Sequence, residues 1–430
     1  MALPSGKPMS ESDWNQVGFH LGTVFNPTRP INREDLFKGR TDQRRAIVDT
    51  INQPGLHAIL FGERGVGKTS LANMIFPMLS SVGRPLLLVQ INCMSADTFS
   101  DMWHRVLLEI HYKIEDDKTF EEVPDEAQGI LLAAKKYPLE VITSDAVRRL
   151  LTLLGRDHIV IIVIDEFDIV QDEAAKKTIA EMIKFLSDRN TPATIILIGI
   201  ADDIEQLISD HRSVERCLCQ IHMPRMSRNE LESVAVAGLG TCTPVMSMKR
   251  SALHELSRLS KGLPHYMHLL TLHAARAAVD AGSLVVDESQ VREGIKKAID
   301  LTQSSLKTDY VEAISSARRD AKFKEVLTAC ALANTDELGF FFPVDIKPTF
   351  PRIMKMECSV EAFTKHLVAF CEDRKRSVLS KDERLGRTRY RFTNPLLQPY
   401  VLLRGLSDGI ISEDDLKETR DRNDKQGRLF

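Results

Sequence analysis

Residues 57–70 read His-Ala-Ile-Leu-Phe-Gly-Glu-Arg-Gly-Val-Gly-Lys-Thr-Ser, an apolar run that continues into a turn rich in glycine. The turn satisfies the pattern G-x-x-x-x-G-K-[ST], and the residues after it have the spacing of a helix's buried face. Glycine lets the backbone bend so that successive N–H groups point at one anion, and the following helix adds the positive end of its dipole. Strand, turn and helix together predict a phosphate-binding loop, which is favoured over a chance match because both flanking elements are present.

The loop residues have distinct expected parts in binding a nucleotide. Contacts with the nucleotide are expected from Gly62, Glu63, Arg64, Gly65, Val66, Gly67, Lys68, Thr69 and Ser70. The Lys68 ammonium can reach the β- and γ-phosphates, and the Thr69 hydroxyl can take one ligand position on Mg²⁺. The predicted ligand is therefore a nucleoside triphosphate with its metal ion.

A second decisive stretch is residues 159–168, which read Ile-Val-Ile-Ile-Val-Ile-Asp-Glu-Phe-Asp. Six apolar residues predict a buried strand, and open α/β sheets place ligand chemistry at the carboxyl ends of such strands. We expect Asp165 to hold Mg²⁺, directly or through water, and Glu166 to orient and deprotonate the attacking water. A strand that ends in Asp-Glu is common by itself. Paired with the loop about a hundred residues upstream, it predicts hydrolysis of the triphosphate.

Other apolar runs complete a predicted α/β fold with a parallel sheet. Residues 85–92 and 194–200 read as further strands, and residues around 217–223 read as a fifth. Asp202 follows the fourth strand and is a candidate to position the attacking water. An equally good interpretation makes Asp202 the N-cap of a helix that starts near Ile204.

Composition limits the class of protein. At 430 residues, with 43% apolar and 27% charged residues, the chain is predicted to be a soluble protein of two or three domains. The net charge of −3 gives no global sign of nucleic-acid binding. The seven cysteines show no Cys-x-x-Cys spacing, which argues against a zinc site and for a reducing compartment. Without an apolar run long enough for a bilayer or a signal-peptide pattern, a cytoplasmic protein with no membrane partner is expected.

The chain divides into five predicted regions. They are an N-terminal arm (1–30), a nucleotide-binding α/β domain (31–225), a helical lid (226–305), a winged-helix-like domain (306–411) and a charged tail (412–430). The arm contains several prolines and little periodicity, so we expect it to lie on the surface, anchored by Trp14 and Phe19. The order helix, helix, helix, hairpin suggests the winged-helix module.

Basic residues concentrate at the predicted C-terminal hairpin. From Arg374 to Arg391 there are eight Lys or Arg residues against two acids, a local charge of +6. Such a cluster can follow the phosphates of DNA, and the candidate contacts are Arg374, Lys375, Arg376, Arg387, Arg389 and Arg391. A solvated hairpin or a surface that faces a protein partner remains an equal alternative.

In this order of motifs the chain resembles an AAA+ ATPase. It is most similar in style to the branch that includes Orc/Cdc6-like initiators and TniB/TnsC-like transposition ATPases, and it also resembles the signalling NTPases called STAND proteins. The resemblance covers residues 30–300 well and the C-terminal region loosely. It implies a P-loop NTPase sheet with a helical lid, and it implies ATP and Mg²⁺ as cofactors.

The resemblance also implies roles for residues outside the two motifs. Gly39-Arg40 resembles the lead-in element that lies near the base in this class. In such families an arginine before the fifth strand enters a neighbouring subunit's site, and the matching residue is Arg216, with Arg212 as the second choice. A surface salt bridge is the alternative role for this arginine.

Two departures from the family pattern point to a slow switch. Many AAA+ members have an arginine at the start of a lid helix that touches the γ-phosphate, and His265 stands at the corresponding position. Gly262-Leu263-Pro264 instead resembles the G-x-P element of STAND proteins, in which the proline packs by the adenine. The resemblance therefore implies slow hydrolysis of ATP rather than a vigorous motor.

Two functions remain open from the sequence. The first is an ATPase that forms a homo-oligomer when ATP is bound and acts as a regulatory switch on DNA. The second is a STAND-like switch that senses or activates a protein effector in defence or stress signalling, without DNA. A nucleotide-loaded scaffold without turnover is disfavoured, because Lys68, Thr69, Asp165 and Glu166 are all present.

Overall fold

The computed structural model describes residues 9–80, 83–116, 124–134, 142–201, 212–317, 321–355, 359–383 and 386–416. Two compact units are distinguished by their contacts. The sheet unit comprises Pro30–Glu63 and Gly67–Met223, and the helical unit comprises Met1–Arg29, Arg64–Val66 and Pro224–Phe430.

The helices are numbered in chain order. They are α1 (Glu11–Val24), α2 (Thr41–Ile51), α3 (Lys68–Asn73), α4 (Ile75–Leu79), α5 (Phe99–Asp116), α6 (Asp125–Ala134), α7 (Ser144–Leu154), α8 (Glu173–Asp188), α9 (Arg212–Glu215), α10 (Arg228–Gly240), α11 (Arg250–Leu259), α12 (Pro264–Asp280), α13 (Glu288–Leu301), α14 (Ser304–Ile314), α15 (Phe323–Leu332), α16 (Pro343–Ile346), α17 (Phe350–Met354), α18 (Glu361–Phe370) and α19 (Leu397–Ser407). In the described residues, no helix is both long and apolar enough to span a bilayer.

The sheet unit contains a five-stranded parallel sheet, which confirms the predicted α/β fold. Its strands are β1 (His57–Phe61), β2 (Leu86–Asn92), β3 (Ile159–Asp165), β4 (Ala193–Gly199) and β5 (Leu218–His222), in the order β2-β3-β4-β1-β5. Because all the strands are parallel, their carboxyl ends meet at one edge. In the register of the sheet, Asn92 lies opposite Asp165 and Phe61 lies opposite Gly199.

The position of each strand explains its sequence pattern. The inner strands β1 and β4 are buried at every residue, which is why they read as continuous apolar runs. The edge strand β2 alternates between buried and half-buried positions. Helix α7 covers the sheet core with Val147, Leu150, Leu151 and Leu154, a spacing that places all four on one face. Burial of each such side chain contributes about 1.5–3 kcal/mol.

The N-terminal region differs from the predicted surface arm, because it forms helix α1. Ser10 and Asp13 form a capping box at its start, and Val17, Leu21 and Val24 are buried in its packing against α12. Phe19 is 77% exposed, so the expectation that it anchors the segment is wrong. The prolines lie outside the helix, and its apolar face is only three residues long, so the sequence shows little periodicity.

In the helical unit, α10 to α13 pack together, and α14 to α19 follow them in the chain. Two short parallel strands pair within the first group, β6 (Ser247–Met248) with β7 (Val285–Val286). The predicted C-terminal hairpin is present, with β8 (Leu379–Asp382) antiparallel to β9 (Arg389–Phe392). Most of the predicted tail, residues 417–430, lies outside the described residues.

Candidate nucleotide-binding site

The backbone of the phosphate-binding loop depends on glycine. Gly62 has φ 147° and Gly67 has φ 97°, both in the region that other residues rarely adopt. A Cβ atom at position 62 would lie 2.5 Å from the carbonyl oxygen of Met223, which is less than contact distance. The path of the loop after β1 is therefore closed to larger residues at these positions.

The Lys68 side chain folds back across the loop. It is buried, and its ammonium donates to the carbonyl oxygens of Gly62 at 2.9 Å and Glu63 at 2.8 Å. These two hydrogen bonds hold the Lys68 ammonium across the loop, where the sequence predicts that the phosphates bind.

The loop and the acidic end of β3 meet at Thr69 and Asp165. The Thr69 hydroxyl donates to Asp165 Oδ2 at 2.8 Å, and the N–H of Glu166 donates to Asp165 Oδ1 at 2.8 Å. Burial raises the pKa of the Asp165 carboxyl, and these two hydrogen bonds oppose the shift. The structure therefore brings the two predicted Mg²⁺ ligands together, and their hydroxyl and carboxylate oxygens are donors that this cation prefers.

Glu166 is exposed beside the buried Asp165. Its φ of 57° is left-handed, a conformation that costs a residue other than glycine about 1 kcal/mol. The next residue, Phe167, is completely buried and begins a short 3-10 helix at Phe167–Ile169. The buried phenylalanine fixes the turn and leaves the Glu166 side chain exposed, and the role of Glu166 as general base stays a prediction.

Two further polar residues at this edge were not assigned a role from the sequence. Asp168 Oδ1 accepts a hydrogen bond from the N–H of Ile200 at 2.8 Å, and this ties the ends of β3 and β4 together. The Gln90 amide on β2 lies 3.5 Å from Asp165 Oδ2. The sequence does contain signals for both residues: Asp168 is the third acid in the Asp-Glu-Phe-Asp stretch, and Gln90 is a lone glutamine in an apolar strand. Asp202, the candidate at this edge, lies outside the described residues.

The lead-in segment is attached to the helix that follows the loop. The Ser70 hydroxyl accepts from the N–H of Ile31 at 3.1 Å, and the Asn73 amide donates to the carbonyl of Ile31 at 3.3 Å. Gly39 and Arg40 both have positive φ, and Arg40 is buried at the start of α2. In the loop itself, Glu63 and Val66 are buried and Arg64 is exposed. Nucleotide contacts by these residues stay predictions.

Arg216 lies just before β5 and forms an ion pair with Asp188, the last residue of α8. The Arg216 nitrogen lies 2.7 Å from Asp188 Oδ1, with the two side chains 67% and 47% exposed. Exposed ion pairs of this kind contribute about 0–1 kcal/mol. Arg216 thus forms a surface salt bridge within its own chain, which was the alternative role. Its role in a neighbouring subunit stays a prediction. The side chain of Arg212 lies outside the described residues.

The predicted lid residues belong to the helical unit. Pro264 is at the first position of α12, preceded by Gly262 with φ 80°. The His265 ring donates through Nδ1 to the carbonyl of Pro27 at 2.7 Å. Burial lowers the pKa of His265 although that hydrogen bond raises it, so the ring is neutral at pH 7. Contacts of Pro264 and His265 with adenine or phosphate stay predictions.

Two of the six predicted DNA contacts are engaged within the protein. Lys375 is buried, with its ammonium on the carbonyl of Ser315 and 3.9 Å from the centre of the Phe323 ring. The Arg389 side chain is only 13% exposed, and it pairs with Asp382 at 2.8 Å and Asp336 at 3.1 Å. Neither side chain faces solvent as a phosphate contact requires. A count of basic residues in the sequence could not predict the engagement of Lys375 and Arg389, because it does not show which cations are buried.

The remaining basic residues of this region are more accessible. Arg374 pairs with Glu372, and Arg376 lies 2.9 Å from Glu312. Arg391 is half-buried and lies over the ring of Phe340, at 4.6 Å from its centre. Arg387 is exposed near the hairpin turn, and no ion pair to it is found among the described residues.

Several known proteins are similar to this chain. Residues 51–208 match the family model of the AAA domain. A Walker-type ATPase of Pyrococcus abyssi is similar in structure, with a TM-score of 0.55, 16% identity, and coverage of 88% of this chain and 99% of that chain. Cdc6p from Pyrobaculum aerophilum gives a TM-score of 0.47, 14% identity, and coverage of 91% and 99%. The ORC2 protein of Aeropyrum pernix gives a TM-score of 0.45, 12% identity, and coverage of 93% and 98%.

Comparison with curated proteins gave no match. The family match spans β1 to β4 with the phosphate-binding loop and the Asp165-Glu166 pair, which are the parts that form the site. Residues 51–208 therefore resemble the AAA domain, and the sheet unit that contains them has the P-loop AAA+ fold.

Proposed function

We propose that the protein is a Mg²⁺-dependent ATPase that uses slow hydrolysis as a switch. The observation that carries this proposal is the hydrogen bond between the Thr69 hydroxyl and Asp165, because it joins the phosphate-binding loop to the acidic end of β3. Thr69 and Asp165 would hold Mg²⁺, which neutralises charge on the phosphates when it is bound. ATP is the proposed nucleotide because the fold is that of AAA+ proteins.

The chain's own residues have separate roles in this reaction. Lys68 would exchange its two carbonyl partners for phosphate oxygens, which are stronger partners because they are charged. Glu166, exposed beside Asp165, would accept the proton of the attacking water. Asp168 holds the backbone at Ile200 and keeps the ends of β3 and β4 in register. Positioning and charge therefore provide the catalysis, as in phosphoryl transfer generally.

Assembly is proposed to depend on Arg216. Its ion pair with Asp188 is exposed on both sides and is therefore weak. A triphosphate in a neighbouring copy offers Arg216 a more highly charged partner in a less hydrated place. ATP would thus promote a homo-oligomer in which Arg216 of one copy stabilises the transition state in the next, and hydrolysis would reverse the assembly.

DNA is the proposed partner of the C-terminal hairpin. The proposed contact, called the hairpin surface, consists of Arg374, Arg376, Lys381 and Arg387 and leaves out the engaged Lys375 and Arg389. Lys381 pairs with Glu383 at 3.2 Å, and both side chains are more than half exposed. Because such exposed pairs are weak, DNA phosphates can replace the carboxylates. Binding would be independent of sequence and strongly dependent on salt.

Measurement of mass in solution tests assembly and DNA binding together. The chain is sized with and without a slowly hydrolysed ATP analogue, each in the presence and absence of duplex DNA at low salt. We expect a larger species with the analogue and a further mass increase with DNA. The DNA-dependent increase should disappear in Arg387→Glu and persist in Arg149→Glu, which makes the same charge change on the exposed face of α7.

Each failure removes a different part of the proposal. A single mass under all conditions contradicts nucleotide-driven assembly. Assembly without DNA binding at low salt removes DNA as the partner and leaves the ATPase proposal intact. Equal DNA binding by Arg387→Glu and the wild type excludes the hairpin surface.

A further inference from the structure

A cavity of about 360 Å³ lies within the helical unit. It is formed by α11, α13, the end of α19 and the segment that follows α19. One wall is apolar and consists of Ile295, Leu406 and Ile411. Its volume is at the lower end of the range for cavities that bind small molecules.

Glu255 is a buried acid in this cavity. It is only 7% exposed, and no hydrogen bond or ion pair to its carboxylate is found in the described part of the chain. Buried carboxylates are normally paired, since burial of an unpaired charge is costly. Glu255 is therefore a polar group whose partner the described part of the protein does not supply.

Charged groups surround Glu255 on each neighbouring element without pairing with it. Its own helix carries Arg258, α13 carries Glu288 and Arg292, and Glu413 follows α19. Arg292 lies 3.2 Å from Glu413, so these two charges satisfy each other at the cavity. Lys296, which also lines the cavity, is 3.5 Å from Glu293 and exposed.

The titration of Glu255 agrees with its missing partner. Burial, with a smaller contribution from Glu413, raises the pKa of Glu255 to about 7. Near neutral pH the residue therefore exchanges between the acid and the carboxylate. A cation brought next to it would favour the carboxylate and displace the proton.

We propose that this cavity binds a small molecule that carries a protonated amine on a short apolar body, with the amine on Glu255. An ammonium group supplies both the missing charge and up to three hydrogen-bond donors. The apolar body would lie against Ile295, Leu406 and Ile411. Such a ligand would connect α11 and α13 to the end of α19.

Other ligand classes fit less well. An anion would meet the carboxylates of Glu255 and Glu413, while Arg292 is already engaged by Glu413. A metal ion usually needs several ligands, and no group of three or more His, Cys, Asp or Glu able to hold one is found in the described residues. The unpaired acid next to an apolar wall therefore favours an organic amine.

Calorimetric titration with 3-methylbutan-1-amine tests the proposal on the full chain without nucleotide. At pH 7 the titration is run in two buffers that differ in ionisation enthalpy. We expect saturable binding of one amine per chain, with release of about half a proton, because Glu255 with a pKa of about 7 is half protonated. The uncharged 3-methylbutan-1-ol, which has the same apolar body, should bind at least tenfold more weakly.

Variants separate Glu255 from the rest of the cavity. Glu255→Gln keeps the size of the side chain and should weaken amine binding at least tenfold and abolish proton release. Glu413→Gln, which removes the paired acid, should retain amine binding but release less than half a proton, because loss of the Glu413 charge lowers the pKa of Glu255. Circular dichroism melting confirms that each variant is folded. Absence of saturable amine binding to the wild type, or binding to Glu255→Gln within twofold of the wild type, overturns the proposal.

Discussion

The Thr69 hydroxyl donates a 2.8 Å hydrogen bond to Asp165 Oδ2, joining residues 96 positions apart in the chain. The contact places the end of the phosphate-binding loop against the carboxyl end of β3. Asp165 is buried and accepts a second hydrogen bond from the N–H of Glu166. Thr69 and Asp165 thus lie together within the sheet unit, and the expected effects of substitutions follow from this geometry.

Replacement of Thr69 by valine should remove the Mg²⁺ dependence of ATP binding. Valine keeps the shape of threonine but lacks the oxygen that would ligate the cation. Mg²⁺ should raise the ATP affinity of the wild type, and we expect the factor of this increase to be about tenfold smaller in Thr69→Val. Such a loss is comparable to that of one charge-assisted contact. Fluorescent-ATP titrations with and without Mg²⁺ measure this gain.

Ser70→Ala is the matched control for Thr69→Val, because the Ser70 hydroxyl accepts from Ile31 rather than facing Asp165. The control should keep the response to Mg²⁺. A wild-type response in Thr69→Val would contradict the assignment of Thr69 as a metal ligand.

Replacement of Glu166 by glutamine should separate binding from hydrolysis. Glutamine cannot accept the proton of the attacking water, so phosphate release should fall by about 10²–10⁴-fold while ATP affinity stays near that of the wild type. Asp168→Asn is the control, since asparagine Oδ1 can still accept from the N–H of Ile200. If Glu166→Gln hydrolyses ATP at the wild-type rate, another group is the base.

Arg216 should make hydrolysis depend on protein concentration. For the wild type we expect the rate per chain to rise with concentration, as copies come together. Arg216→Ala should bind ATP normally but show a low, constant rate. Asp188→Asn frees Arg216 from its ion pair, so the rate per chain should begin to increase at a lower protein concentration. A concentration profile of Arg216→Ala that matches the wild type would rule out the role in a neighbouring subunit.

Glu255 should make the stability of the helical unit fall as the pH rises. Its pKa is raised from 4.5 to about 7 in the folded chain, so the folded state binds this proton more tightly than the unfolded state does. The contribution is fully present below pH 4.5 and is lost as the pH rises through about 7. Glu255→Gln should therefore gain about 2 kcal/mol relative to the wild type between pH 5 and pH 8.

Urea unfolding of both proteins at the two pH values measures this difference. Glu413→Gln serves as the control, because Glu413 is more exposed and paired with Arg292. An unchanged difference between wild type and Glu255→Gln at the two pH values would show that Glu255 titrates normally.

Much of the nucleotide-binding region was predictable because its signals are local. Continuous apolar runs predicted the inner strands, and the positive φ of Gly62 and Gly67 explains why the loop needs glycine there. The proximity of Thr69 and Asp165 was also predictable, because the carboxyl ends of parallel strands lie at the same edge of the sheet.

Contacts between distant segments account for what the sequence did not predict. Helix α1 depends on the packing of Val17, Leu21 and Val24 against α12, which is not visible in residues 1–30 alone. Lys375 was counted as a surface cation, yet Ser315 and Phe323 hold it inside the protein. The same holds for Glu255, whose burial arises from elements far apart in the chain.

Calorimetric titration of the wild type and Lys68→Ala with Mg²⁺ and a slowly hydrolysed ATP analogue tests the nucleotide site most directly. The Lys68 ammonium donates to the loop carbonyls of Gly62 and Glu63, and we expect its loss to affect the ligand more than the fold. We predict saturable binding of one nucleotide by the wild type and affinity about 10–100-fold weaker in Lys68→Ala. Equal affinity in the two proteins would contradict this prediction.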